Sequence, residues 1–126
     1  MKKVLSHGIT AGLLAAIAAI VYNIIYCQAM EVNFSSVVNP FSIAGASIFS
    51  CLLASVGYFL FAKWVSRGTD VWFNIIFLII SFATFFSVFD FTLPMTVQSS
   101  ELFPGLTIPM HLMPVLFWIA AKPLFY

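Results

Sequence analysis

The sequence predicts an all-α, integral membrane four-helix bundle with both termini cytoplasmic and a proline-kinked last helix. Three observations predict it. Of 126 residues, 63% are apolar and 7% charged, whereas a soluble domain carries roughly a quarter charged residues. The apolar residues gather in four segments, about 8–28, 40–62, 71–89 and 104–121. A bilayer's hydrocarbon core, about 30 Å thick, needs about 20 apolar residues per helical span, which the first three segments meet and the fourth nearly meets. The cations between segments gather on one side, and three of the four acids on the other. With four crossings, Lys2, Lys3, Lys63, Arg67 and Lys122 share one side, and Glu31, Asp90 and Glu101 the other. Lys and Arg concentrate in cytoplasmic loops, so the cationic side is inner. These spans make residues 1–126 one transmembrane domain with no room for a soluble one. The net charge of +1 suggests no nucleic-acid partner.

The first segment also resembles a signal peptide, with Lys2 and Lys3 before an apolar run. That run, residues 9–25, exceeds the usual seven to fifteen residues, and Cys27-Gln28-Ala29 is a poor cleavage site. The segment is therefore expected to stay as a span. Gly8, Gly12 and Ala16 form a row of small residues at i, i+4 spacing, and Ala11, Ala15 and Ala19 form the next. Such rows let backbones approach closely in lipid, where helix contact is van der Waals rather than hydrophobic. His7 is juxtamembrane and expected to be solvated.

The second segment opens at Asn39-Pro40, an N-cap followed by Pro at the first helical position. Its small rows are Ala46, Ser50, Ala54 and Ser47, Cys51, Ser55, so helices 1 and 2 are expected to pack tightly, within one chain or across a dimer. Cys51 lies roughly 16 Å below the outer surface by helical rise. Cys27 sits near the outer end of helix 1, so no disulfide is expected. Gly68 suits a stop after helix 2, and Thr69 or Asp70 suits a cap for helix 3. Helix 3 is bulky, with Phe73, Phe77, Phe82, Phe85, Phe86 and Phe89 facing lipid or filling gaps beside thinner helices. Trp64, Trp72 and Trp118 all fall at the inner interface, as an aromatic belt would.

In the fourth segment Pro104, Pro109 and Pro114 recur every five residues. An internal proline removes one backbone hydrogen bond, so Pro109 frees the carbonyl of Gly105 and Pro114 that of Met110. A helix from Pro104 spans about 27 Å with two kinks. A helix capped by Thr107 covers only about 21 Å and leaves irregular backbone at membrane depth.

Polar residues within the spans are few: Asn23, Asn74, His111 and, at the end of helix 3, Asp90. An ionisable group inside a span faces the bundle and finds a partner. Asn23, Asp90 and His111 fall in the outer half, and are expected to form a polar pocket open outward, with Gln28 and Glu101 near its rim. The alternative is that His111 is helix–helix glue and Asp90 a solvated helix end. Two histidines on this pattern do not support paired haem ligation, and no C-x-x-C, H-E-x-x-H, nucleophile elbow or phosphate loop is present. No metal, cofactor or catalytic residue is expected. The first three spans lack the mid-membrane carboxylate of a small proton-coupled exporter.

The stretch Phe103-Pro104-Gly105-Leu106-Thr107-Ile108-Pro109-Met110-His111-Leu112, with Pro114 following, resembles the last helix of a family of short four-span bacterial membrane proteins known only as a domain of unknown function. Its Met-His-Leu near the start of that helix carries the resemblance. The resemblance implies a bacterial inner-membrane location and attention to His111, but no activity. Three readings follow: a non-enzymatic accessory or interaction component, alone or with a membrane-protein partner; a small homo-oligomeric channel or carrier with helix 4 lining the path; and, last, an enzyme using His111 and Asp90 as an acid–base pair.

Overall fold

The computed structural model describes residues 1–34, 38–90 and 102–126, excluding the side chains of Phe85, Val88, Phe89 and Asp90. Its helices are α1 (Lys2–Ala29), α2 (Pro40–Trp64), α3 (Thr69–Asp90) and α4 (Phe103–Ala121), followed by a 3₁₀ turn over Lys122–Leu124. The described residues hold no strand. The fold is an all-α bundle. Three helices are long and apolar enough to cross a membrane: α1, α2 and α4 with its terminal turn. In α3 the apolar stretch of described side chains, Thr69–Thr84, is shorter.

Local chemistry explains most helix ends. Asn39 caps α2 reciprocally with Ser42: the Ser42 backbone N–H donates to Asn39 Oδ1 at 2.8 Å, and the Asn39 N–H to Ser42 Oγ at 3.2 Å. This satisfies donors that a helix start leaves open. At the end of α1, Val32 N–H bonds the carbonyl of Cys27 at 3.0 Å and Glu31 N–H that of Gln28 at 3.4 Å. That closure needs a left-handed residue, usually glycine. Here Glu31 takes it, at φ 54°, and nothing in the sequence announces it. Gly68, at φ 70°, turns the short connection from α2 into α3. The helix then begins at Thr69 itself, so neither Thr69 nor Asp70 is its cap. Thr69 Oγ1 donates back to the Val65 carbonyl, and Asp70 turns to other partners described below.

The α1–α2 interface is built from small residues. Gly8, Ala11, Gly12, Ala15, Ala16 and Ala19 are all buried, and Gly8 and Gly12 lie directly against Ser47, Cys51 and Ser55 of α2. A Cβ on Gly8 would stand 1.8 Å from Ser55 Oγ and 2.8 Å from the Cys51 carbonyl oxygen. On Gly12 it would stand 3.0 Å from Ile48 Cα. Ser55 Oγ also reaches the Val4 carbonyl at 3.2 Å. Ala46, from the other small row of α2, faces outward. Cys27 and Cys51 are both free thiols.

The inner core is aromatic. Trp118 is 2% exposed and packs among Phe73, Phe77 and Tyr58, with ring centroids 5.8, 6.1 and 6.2 Å away. Trp118 is therefore a core residue and not part of an interfacial belt. Trp64, at 89% exposed, and Trp72 do face outward. The phenylalanines of α3 divide likewise: Phe73 and Phe77 join this core, whereas Phe82 and Phe86 point away from the bundle. Phe85 and Phe89 lie outside the described side chains.

Candidate functional site

Helix α4 runs unbroken from Phe103 through Pro109 and Pro114 to Ala121, so Thr107 does not cap a shortened helix. Its hydroxyl instead donates to the Phe103 carbonyl at 3.1 Å, one turn back. A continuous helix through prolines leaves carbonyls without N–H partners. Pro109 orphans the Gly105 carbonyl, and the Tyr22 hydroxyl of α1 donates to that oxygen at 2.8 Å. Tyr26, one turn on, donates to the Leu102 carbonyl at 2.7 Å. The tyrosines come this near because residue 105 has no side chain: a Cβ there would sit 2.6 Å from the Tyr26 hydroxyl.

The other end of α4 repeats the logic. Pro123 has no N–H for the Ile119 carbonyl, so the Lys122 N–H tightens onto Ile119. The Trp118 carbonyl is thereby left over, and His7 Nε2 bonds it at 2.7 Å. His7 is 1% exposed and stacks on Trp118 with centroids 4.2 Å apart, flanked by Phe125 and Tyr126. The expectation of a solvated His7 is thus corrected. A ring that is the natural partner of an open helix end, with an aromatic face to stack on, is drawn inside. Since Nε2 carries the proton donated to a carbonyl, Nδ1 is the bare nitrogen of the neutral tautomer. Beside this site Lys122 Nζ pairs with Asp70 Oδ1 at 2.7 Å, and the Tyr58 hydroxyl donates to the same oxygen. Asp70 lies in the first turn of α3, before the uncharged run that starts at Val71. The Lys122 ammonium first, and the Tyr58 hydroxyl second, hold its carboxyl below the usual range. These contacts bring the start of α1, the end of α2, the start of α3 and the end of α4 together at one end of the bundle.

Toward the opposite end α2 and α3 separate around a cavity of about 350 Å³. At the hairpin end they meet through Phe73, which lies 3.5 Å from where a Gly57 side chain would begin and packs on Tyr58 and Phe61. Farther along, α2 contributes Ser42, Ala46, Ser47 and Ser50, and α3 contributes Phe77, Ile80, Ser81 and Thr84. Helix α4 forms the back wall with Thr107, Met110, His111 and Pro114, and Ala19 of α1 and Val38 close the rest. No described lining residue carries a carboxylate, ammonium or guanidinium.

The polar residues read from the sequence do not all meet here. His111 lines the cavity, with Nδ1 3.4 Å from Thr84 Oγ1. Thr84 donates its proton to the Ser81 carbonyl at 2.6 Å, so its oxygen is the acceptor toward the imidazole. Asn23 is not part of the lining, and its carboxamide oxygen accepts from the Cys27 thiol on the same helix at 3.7 Å. Gln28 is exposed beyond it. The side chain of Asp90 and all of Glu101 lie outside the described residues. Among the described residues no group of three His, Cys, Asp or Glu side chains is placed to hold a metal. What the sequence reading missed is the hydroxyl set: Ser42, Ser47, Ser50, Ser81, Thr84 and Thr107. Its one visible sign was the serine row of α2, which reads as easily as small-residue packing.

The fold and site together define a helical membrane protein with a hydroxyl-lined cavity between its helices. Comparison with protein-family models, curated proteins and solved structures finds no match.

Proposed function

We propose that the chain is a four-span protein of the bacterial inner membrane, both termini cytoplasmic, acting as a non-enzymatic accessory or interaction component. Within α3, residues 71–89 cover about 28 Å at helical rise, nearly a full crossing. The cationic clusters lie at the bundle end where His7, Asp70 and Lys122 meet, which supports a cytoplasmic assignment for that end. The observation that carries the accessory reading is the use made of polar side chains. Tyr22, Tyr26 and His7 of α1 each bond a backbone carbonyl of α4 or its cap, and so serve as interhelical ties, while Ser55 shares its proton between the Cys51 carbonyl of its own helix and the Val4 carbonyl of α1. The resemblance of the last helix to the four-span bacterial family supports the same location.

The test joins topology with function. Reporter fusions at each terminus should both report the cytoplasmic side. Purification from native membranes in mild detergent should bring down a stoichiometric membrane-protein partner, and liposomes holding the protein alone should show no ion or solute flux. Termini on opposite sides would overturn the topology, and flux without a partner would overturn the accessory role.

One observation favours a second reading, a small channel or carrier. The cavity is lined by hydroxyls and backed by the proline-bearing α4, a surface suited to an uncharged solute. That reading requires a homo-oligomer and solute flux in the same liposomes.

A further inference from the structure

We infer that the cavity between α2 and α3 is a binding site for the head of a neutral, hydroxyl-bearing lipid of the monoacylglycerol kind, entering sideways from the bilayer. The inference rests on the membrane reading above and adds a ligand to it.

Three properties of the site specify this chemistry. The first is neutrality: the described lining offers hydroxyls and one imidazole and no formal charge, so it would leave a buried phosphate or carboxylate without a counter-charge. The second is the sense of the hydrogen bonds. Ser42, Thr84 and Thr107 each donate their single proton to a backbone carbonyl about one turn back, at 2.9, 2.6 and 3.1 Å. Ser42 Oγ also accepts from the Asn39 N–H, and Thr84 Oγ1 faces His111 Nδ1, so each keeps one further lone pair and Thr107 keeps two. Those positions call for donors on the ligand, and the Ser50 hydroxyl beside them can donate or accept. Ligand hydroxyls supply them, whereas an ester or an ether alone does not. The third is access. Ser42, Ala46 and Ile80 line the cavity and are exposed, so the cavity opens to the surroundings of the bundle between α2 and α3. In a bilayer that side faces acyl chains. A volume of about 350 Å³ exceeds a glycerol head, leaving Ile80, Phe77 and Met110 to contact the first methylenes while the chain continues into lipid.

The experiment uses the full chain in phosphatidylcholine nanodiscs with 1-oleoylglycerol carrying a diazirine in its acyl chain as the probe. Saturable photolabelling is expected on peptides containing Ala46, Phe77 and Met110, competed by unlabelled 1-oleoylglycerol. Methyl oleate, which has no donor, and oleoyl lysophosphatidic acid, which is charged, should compete at least tenfold less well. Ala46→Phe, placed on an exposed helix face so that folding is retained, should abolish the saturable component while thermal stability in detergent is unchanged. Ser50→Ala should leave folding intact and weaken competition about three- to tenfold, the range for one hydrogen bond. Labelling that does not saturate, or equal competition by methyl oleate, would mark an ordinary lipid-facing crevice and overturn the proposal. Competition by free glycerol as strong as by its oleoyl ester would assign a water-soluble solute and overturn the lipid source. Failure to enter nanodiscs overturns the membrane reading as well. Entry without saturable labelling overturns only the ligand.

Discussion

Gly8 and Gly45 have the same side chain and opposite surroundings. At Gly8 the α2 backbone itself, through the Cys51 carbonyl, occupies the space of a methyl group, and Ser55 Oγ, tied to Val4, is closer still. At Gly45 nothing lies within 4 Å. Gly8→Ala is therefore expected to destabilise the bundle by about 1–3 kcal/mol, as overpacking does. Gly45→Ala should be neutral or stabilising by up to about 1 kcal/mol through helix propensity. Unfolding of the two variants side by side in one detergent checks this, and equal effects would mean that the α1–α2 contact is looser than described. Asp70 is a residue-scale case of a different kind. Its native carboxyl titrates below the unfolded value of about 3.9, because Lys122 and Tyr58 favour the charged form. A depressed acid stabilises the fold above the unfolded pKa, and that contribution is lost as pH falls through the native value. Lowering pH from 7 to 5 should thus leave this contribution in place. Below about pH 4 the Tm of the wild-type protein should fall toward that of Asp70→Asn, which lacks it throughout. Because Asp70 is half exposed, the difference at pH 7 is expected to be small.

At the scale of the element, α4 shows how a helix with internal prolines survives at membrane depth. Two of its open carbonyls are met from α1: Tyr22 covers the one that Pro109 leaves at Gly105, and His7 covers the one that Pro123 displaces to Trp118. The Tyr22–Gly105 bond lies on the exposed surface of the bundle, so Tyr22→Phe should destabilise by about 0.5–1.5 kcal/mol, the net worth of one hydrogen bond. Pro109→Ala restores the N–H that Gly105 lacks. In that background the tyrosine hydroxyl is redundant, and Tyr22→Phe should cost less by about 0.5 kcal/mol or more. A double-mutant cycle on unfolding free energies measures the difference directly. Additive effects would show that Tyr22 and Pro109 are unrelated. The same pairing explains why α1 carries both small residues and two tyrosines. One face lies against α2 by absence of side chains, and the other reaches α4 by hydroxyl groups.

At the scale of the whole molecule, the described residues pack into two cores with a cavity beside them. Aromatic rings, the Asp70–Lys122 pair and His7 fill one end, Phe34, Phe103 and Leu106 are buried together toward the other, and α2 and α3 flank the cavity. Much of the helical layout was readable beforehand. Spans of 8–28, 40–62, 71–89 and 104–121 became helices beginning and ending within a few residues of those limits, apart from α1, which starts at Lys2. Apolar length and end signals such as Asn39-Pro40 are local, and local signals survive in sequence. The gathering of polar groups was less readable. Asn23 and His111 share a membrane depth, but depth alone does not set rotation about a helix axis, and Asn23 turned toward Cys27 while His111 turned toward Thr84. His7 sits beside two lysines in the sequence and lies buried in the fold, because the carbonyl that needs it is 111 residues away. Composition and the placing of charges by themselves determined a helical membrane protein, since a chain this apolar has to satisfy its backbone internally. Only the tertiary structure decided which carbonyls were left open, which side chains reached them, and where two helices parted to leave a hydroxyl-lined space. Those outcomes depend on helix rotation and crossing, which packing sets and no stretch of sequence encodes alone.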